Sequence, residues 1–242
     1  MLEIACLVDP GARSPENDDR AAVNGKLVSQ GSYTETAESA CLVVICDGVG
    51  GEACGNEAAD IVTEYFSRLD GTPLTVDNIK EYVANVNKEV RNAQKKDFRH
   101  SKMSTTIAGL YINGINFIAF NIGDTRIYRY RSCISQISKD HSLRQEQIDL
   151  GLVPVSVPEN VITRYIGGSR AFPEIVDGTG RVFENDAFLL CTDGVWGVLD
   201  ADDFEEILSK GKKTEETCED LVKLALQKES SDNLSVILVR SI

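Results

Sequence analysis

The sequence predicts an α+β protein built from antiparallel sheets covered by helices. Three observations carry this: apolar runs of strand length come in meandering series, helical patterns come in pairs, and strict strand–helix alternation is absent. The last observation disfavours a doubly wound parallel sheet.

Apolar runs predict strands at residues 4–8, 20–23 and 26–28, the last two joined by Asn24-Gly25, a favoured hairpin pair. A strand at 40–46 leads to Asp47. A helix over about 52–69 sets Ala58, Ile61, Val62, Tyr65, Phe66 and Leu69 on one face, and a second over about 76–96 buries Ile79, Tyr82, Val83, Val86 and Val90. Strands follow at 105–112, 115–122, 126–131 and 132–137, the first two joined by Asn113-Gly114. A short helix at 143–150 stops at Gly151. Strands at 161–165 and 187–192, helices at 201–208 and 215–227, and a strand at 234–240 complete the series. No linker, low-complexity tract or long run of one charge divides the chain, so residues 1–242 are expected to form a single domain. The polar stretches 11–19 and 155–160 read as loops.

With 242 residues, 42% hydrophobic and 26% charged, the chain has an ordinary soluble composition and enough length for a large core. No apolar stretch approaches the roughly 20 residues needed to span a bilayer. The start lacks a basic region ahead of a long apolar segment, so no signal peptide is expected and the default location is cytoplasmic. A net charge of -13 argues against nucleic acid and anionic membranes as partners. The seven cysteines include no CxxC pair, so reduced, mostly buried thiols are expected. Cys54, in GGEACGN, is the one that looks exposed enough to react, although an inert role is favoured.

Four aspartates mark the chemistry. Asp47, Asp124 and Asp193 each end an apolar run in a glycine-containing turn, and Asp232 begins one. One such pair is an ordinary turn; the recurrence is the signal. Carboxylates converging from strand ends without matching cations raise one another's pKa, and hard divalent ions such as Mg²⁺ or Mn²⁺ resolve that conflict. The pattern points to metal-dependent hydrolysis of a phosphate ester.

Six ordered blocks resemble the metal-dependent Ser/Thr protein phosphatases of the PPM family (type 2C), in their compact bacterial form. Asp47-Gly48-Val49-Gly50-Gly51 resembles DGxGG, Ser104-Thr105-Thr106 the family's Thr-Thr strand, and Gly123-Asp124-Thr125-Arg126 resembles GDSR. Thr163-Arg164 with Gly167-Gly168 resembles ITRxxG, Cys191-Thr192-Asp193-Gly194-Val195-Trp196 resembles CSDGLW, and Asp232-Asn233-Leu234-Ser235 resembles DNxT. The resemblance implies a four-layer α-β-β-α sandwich, two antiparallel sheets flanked by helices, with two Mn²⁺ or Mg²⁺ ions at one end. It makes Asp47 the bridging ligand, adds the Gly48 carbonyl, and completes the first shell with Asp193 and Asp232. Asp19 would act through metal-bound water, with Asp18 and Asn233 behind the ligands. Asp124, with Asp193, would hold a third, weaker ion. A metal-bridging hydroxide would attack phosphorus in line with no phosphoenzyme.

Two departures stand out. Arg13, the candidate for binding substrate phosphate, lies one residue further from Asp18-Asp19 than the family's spacing, with Arg20 as the fallback. Val49 stands where animal members carry a histidine, which bacterial members generally lack. His141, in Lys139-Asp140-His141-Ser142, reads as a loop-positioning residue, and His100 as exposed and incidental. Residues 142–160 would form a flap beside the site. The implied enzyme is a monomeric signalling hydrolase acting on phosphoproteins, opposite a cognate Ser/Thr kinase. The alternatives are an inactive phosphatase-fold module that binds phosphoproteins, which should have lost a ligand, and a Ca²⁺-binding protein, for which no DxDxDG loop is present.

Overall fold

Strands buried on both faces organise the protein into layers. A computed structural model describes residues 1–13, 16–49, 54–154, 157, 161–179 and 181–242. Its strands begin with β1 (Leu2–Asp9), β2 (Arg20–Val23), β3 (Lys26–Val28), β4 (Gly31–Ala37), β5 (Ala40–Cys46) and β6 (Gly48–Val49). Helices α1 (Gly55–Ser67) and α2 (Val76–Gln94) follow, then a 3-10 turn at Phe98–His100. Next come β7 (Ser104–Thr105), β8 (Ile107–Asn113), β9 (Asn116–Ile122), β10 (Arg126–Tyr130), β11 (Ile134–Gln136) and helix α3 (Leu143–Asp149). The chain continues through β12 (Glu174–Asp177), β13 (Ala187–Cys191), α4 (Asp193–Trp196), α5 (Ala201–Leu208), α6 (Thr214–Gln227) and β14 (Leu234–Ser241).

One sheet has the order β11-β10-β13-β14-β1-β4 and the other β12-β9-β8-β5-β2-β3. Every pairing is antiparallel, as is the small ribbon of β6 with β7. The two-residue period of a strand assigns the layers. In β5, Cys41, Val43 and Ile45 face the other sheet, while Leu42, Val44 and Cys46 face α1 and α2. In β14, Ile237 and Val239 enter the core between the sheets, whereas Leu234, Val236 and Leu238 pack with Leu221 and Phe204 of the other helical layer. Strands buried on both faces read as continuous apolar runs, which is why they are legible in the sequence. The architecture is the four-layer α-β-β-α sandwich expected.

One local expectation needs correction, and two edge strands are additions to it. Residues 161–165 form no strand: the segment makes only the isolated bridges Ser142↔Ile162 and Thr105↔Ile166, and Ile166 alone reaches the core. β4 and β12 were not anticipated, because both are sheet edges with polar, largely exposed sequences. The expected helix start at Glu52 lies outside the described residues; α1 is described from Gly55. Asn24 (φ 42°) and Gly25 (φ 81°) make the anticipated left-handed turn, and Gly151 (φ 72°) follows α3.

One buried carboxylate holds an edge of the sandwich. Asp186 accepts bonds from Arg129 Nη2 (2.8 Å), from Arg131 Nε and Nη2 (2.6 and 2.8 Å), and from the Phe183 amide (2.9 Å). Asp186→Ala should cost about 3 kcal/mol in a denaturant titration, the low end for breaking a buried pair because Arg131 is half exposed. An unchanged midpoint would contradict this.

Candidate active site

All five predicted carboxylate positions lie where strands of the two sheets end together. Asp47 leaves β5, Asp124 follows β9, and Asp19 precedes β2, whose Arg20 pairs with Cys46 of β5. From the other sheet, Asp193 leaves β13 and Asp232 lies just ahead of β14, with Cys191 opposite Val236. Asp193 starts the short α4 and is not in a plain turn.

Close backbone approach makes the convergence possible. A Cβ on Gly48 would stand 2.4 Å from the Gly55 carbonyl carbon and 2.8 Å from the Asp18 carbonyl oxygen. A Cβ on Gly194 would stand 1.9 Å from the Asn233 carbonyl oxygen. Only glycine lets these loops touch.

Hydroxyls and amides then fix the loops. The Asp47 amide donates to Thr106 Oγ1 (3.0 Å), and Thr105 Oγ1 donates to the Asp47 carbonyl (2.7 Å). Thr192 Oγ1 donates to Asp19 Oδ2 (2.9 Å) and accepts from the Ser235 amide (3.2 Å), which ties the two sheets together. The Asp18 amide donates to Asn233 Oδ1 (2.9 Å), while Asn233 Nδ2 donates to the carbonyls of Pro10 (2.9 Å) and Glu16 (3.1 Å). Asp18 Oδ1 accepts from the Asn56 amide in the first turn of α1 (3.0 Å). Thr105, Thr106 and Thr192 lie inside recognised blocks, but their supporting roles were not assigned. A β-branched hydroxyl next to a strand-end Asp was the available signal.

The electrostatics follow from the crowding. Burial first, then Asp193, Asp19, Asp124 and Asp232, push Asp47 well above the carboxylate range. Burial raises Asp19 to about 7 against the bonds from Ser235 and Thr192. Burial and Asp193 take Asp124 to about 7, and burial and Asp232 take Asp193 to about 6. No Lys or Arg pairs with Asp19, Asp47, Asp124 or Asp193 among the described residues. An all-oxygen donor set with unbalanced negative charge fits hard divalent cations.

The sign of the resulting pH dependence is fixed. Unfolded aspartates titrate near 3.9, below the folded values of about 6 to 7, so the folded state binds more protons between those limits. Metal-free protein should therefore lose stability as pH rises from about 4 through 7, and Mn²⁺ should stabilise it most above that window. Thermal melts at pH 5.5 and 8, with chelator and with Mn²⁺, check this. Equal chelator melts at the two pH values would rule it out.

The basic residues divide clearly. Arg13 is exposed in the turn at residues 11–13, and that turn abuts the cleft: a Cβ on Gly11 would lie 2.2 Å from the Asp232 carbonyl oxygen. Arg20 is not a free alternative, since it binds Asp60 (2.6 Å) and the carbonyls of Asn17 and Asp19. Arg126 grips Asp140 with Nε and Nη2 and lies 3.6 Å over the Trp196 ring, bracing the loop that carries Asp124. His141 Nδ1 accepts from the Gly123 amide (3.1 Å), and burial with the Arg164 guanidinium holds its pKa near 4. It is a neutral loop anchor at physiological pH. His100 is only partly exposed, against the expectation, and its Nε2 stands 3.2 Å from Glu57 Oε2. Cys133 is exposed, against the expectation that Cys54 alone would be, and burial with Glu57 raises the Cys54 thiol. Gly50 and Gly51 of the DGxGG block, and residues 155, 156 and 158–160 of the expected flap, lie outside the described residues.

The family model for protein phosphatase 2C matches residues 20–238. The chain belongs to the protein phosphatase 2C family. Its relatives include the serine/threonine phosphatase stp of Listeria monocytogenes serotype 4b, 25% identical over 235 residues, 91% of this chain and 92% of that protein. Protein phosphatase PhpP of Streptococcus pneumoniae is 28% identical over 252 aligned positions, covering 98% and 97%. The S. agalactiae serine/threonine phosphatase structure superposes with a TM-score of 0.85 at 27% identity, covering 100% of both chains. The fold is also that of the catalytic domain of PstP, solved with two manganese ions, at a TM-score of 0.81 and 23% identity, with 99% of each chain covered.

Proposed function

We propose that this protein phosphatase 2C member removes phosphate from phosphoserine and phosphothreonine in proteins, residues 1–242 acting as one domain. The observation that supports the reading is the convergence of Asp19, Asp47, Asp124, Asp193 and Asp232 from both sheets, with no Lys or Arg paired to the first four among the described residues. Asp47, Asp193, Asp232, Asp19 and the Gly48 carbonyl would hold two Mn²⁺ or Mg²⁺ ions, and Asp124 with Asp193 a third. When bound, such ions supply an activated water at neutral pH and offset phosphoryl charge.

The chain's own residues do the rest. Asp18 and Asn233 keep the Asp19 and Asp232 loops in register. Arg13, in the turn whose Gly11 abuts the Asp232 backbone, would meet the substrate phosphate, a role a guanidinium fills by bidentate bonding. A cysteine phosphoenzyme is disfavoured, because burial holds Cys46 and Cys191, the thiols beside the cluster, protonated. Val49 has no ionisable proton to give, so the leaving serine or threonine oxygen takes its proton from water or another group.

The reading extends to phosphoprotein signalling in the cytoplasm as a monomer, opposite a Ser/Thr kinase. Among the described residues no helix is long and apolar enough to cross a membrane. Hydrolysis of a phosphothreonine peptide, with Mn²⁺ and with chelator, tests the activity. Turnover only with metal is expected. A folded protein that binds Mn²⁺ without turnover would mean a phosphoprotein-binding module instead.

A further inference from the structure

We propose that Cys54, Glu57 and His100 form a zinc site on the flank of α1, separate from the aspartate cleft. One ligand atom from each of these residues lies within 4.8 Å of the other two. In tetrahedral zinc sites, bonds of about 2.0–2.3 Å place neighbouring donors roughly 3.3–3.8 Å apart, so little movement is needed. The donors are more closely gathered than the cleft aspartates, no three of whose oxygens meet that distance among the described residues.

Two rigid pieces present the ligands. Cys54 immediately precedes α1 with φ 73°, its side chain makes no capping bond, and Glu57 sits in the first turn of the same helix. His100 ends the 3-10 turn, which Asp97 caps by accepting from the Arg99 amide (3.0 Å). His100 Nε2 and Glu57 Oε2 are already 3.2 Å apart. A nearby cation, Arg99, is drawn onto Asp97 through Nε (3.1 Å) and Nη2 (2.8 Å). Local charge therefore favours a cation.

The donor chemistry selects the metal. Thiolate and imidazole suit zinc, whereas Mg²⁺ and Mn²⁺ prefer the all-oxygen cleft. Three protein ligands leave a fourth position for water. Zinc displaces the Cys54 proton to bulk solvent as the Zn–S bond forms, with no redox change. The consequence is a clamp between the start of α1 and the turn at 98–100, a short stretch of chain after Asp47.

The test uses full-length protein with its cleft saturated with Mg²⁺. Iodoacetamide labelling of Cys54, read by peptide mass spectrometry, should be blocked by equimolar zinc, while exposed Cys133 labels at an unchanged rate. Native mass spectrometry should count one zinc. His100→Gln and Glu57→Gln should each need at least about tenfold more zinc for half-protection, since even losing a residue behind a metal ligand costs 10–100-fold. Asp193→Ala should protect Cys54 as the unaltered protein does. No zinc bound, protection unchanged in His100→Gln, or protection lost in Asp193→Ala would each overturn the site.

Discussion

Asp193→Asn should lower turnover of a phosphothreonine peptide by on the order of 10²–10³-fold, the scale of loss when one electrostatic stabiliser leaves a preorganised site. The same change should raise the stability of the metal-free protein. Asp193 is the one carboxylate that acts on Asp47, Asp19 and Asp124 together, second only to burial for Asp47 and Asp124. Its own rise to about 6 shows the strain it bears, and neutralising it relieves roughly 1–3 kcal/mol at pH 8. Kinetics with saturating Mn²⁺ and melts in chelator check the two halves. A variant less stable than the parent in chelator at pH 8 would show that the carboxylate supports the fold.

Gly194→Ala is expected to cost about 10²-fold in turnover although it changes no ligand. Its methyl group would enter to 1.9 Å of the Asn233 carbonyl oxygen and 3.3 Å of Asp232 Cβ, and the backbone oxygen cannot swing aside. The neighbouring strand-end loops must part, moving Asp232 away from Asp193. A displacement of about 1 Å at a reacting centre is enough for a loss of that size. Overpacking adds roughly 1–3 kcal/mol of instability. Activity with excess Mn²⁺ separates the effects, since weakened ion binding is partly recovered while misplacement is not. Parent-like turnover would show that the loops are not held by this contact.

Much of this was legible because the central strands are apolar on both faces, as β5 and β14 show. The aspartates could be recognised as a set because each adjoins such a run. β4 is hidden by its polar edge sequence, and residues 161–165 read as a strand because their apolar alternation serves isolated bridging contacts. The supports of the site were hardest to read. Thr106 and Asp47 are partners across two adjacent strands, and Thr192 reaches Asp19 from the opposite sheet. Nothing in local pattern reveals such pairings. His100 and Glu57 meet only because the turn after α2 folds back on α1.

The division of the carboxylates between the sheets has a mechanical meaning. Asp19, Asp47 and Asp124 ride on one sheet and Asp193 and Asp232 on the other, so the thickness of the apolar layer between them acts as a caliper on the cleft. At the opposite end of that layer, Phe117 and Phe188 face each other from the two sheets with ring centroids 5.0 Å apart. Ions held at one end and rings packed at the other would grip the same two plates. Affinity for the ions would then report packing among residues that never touch them.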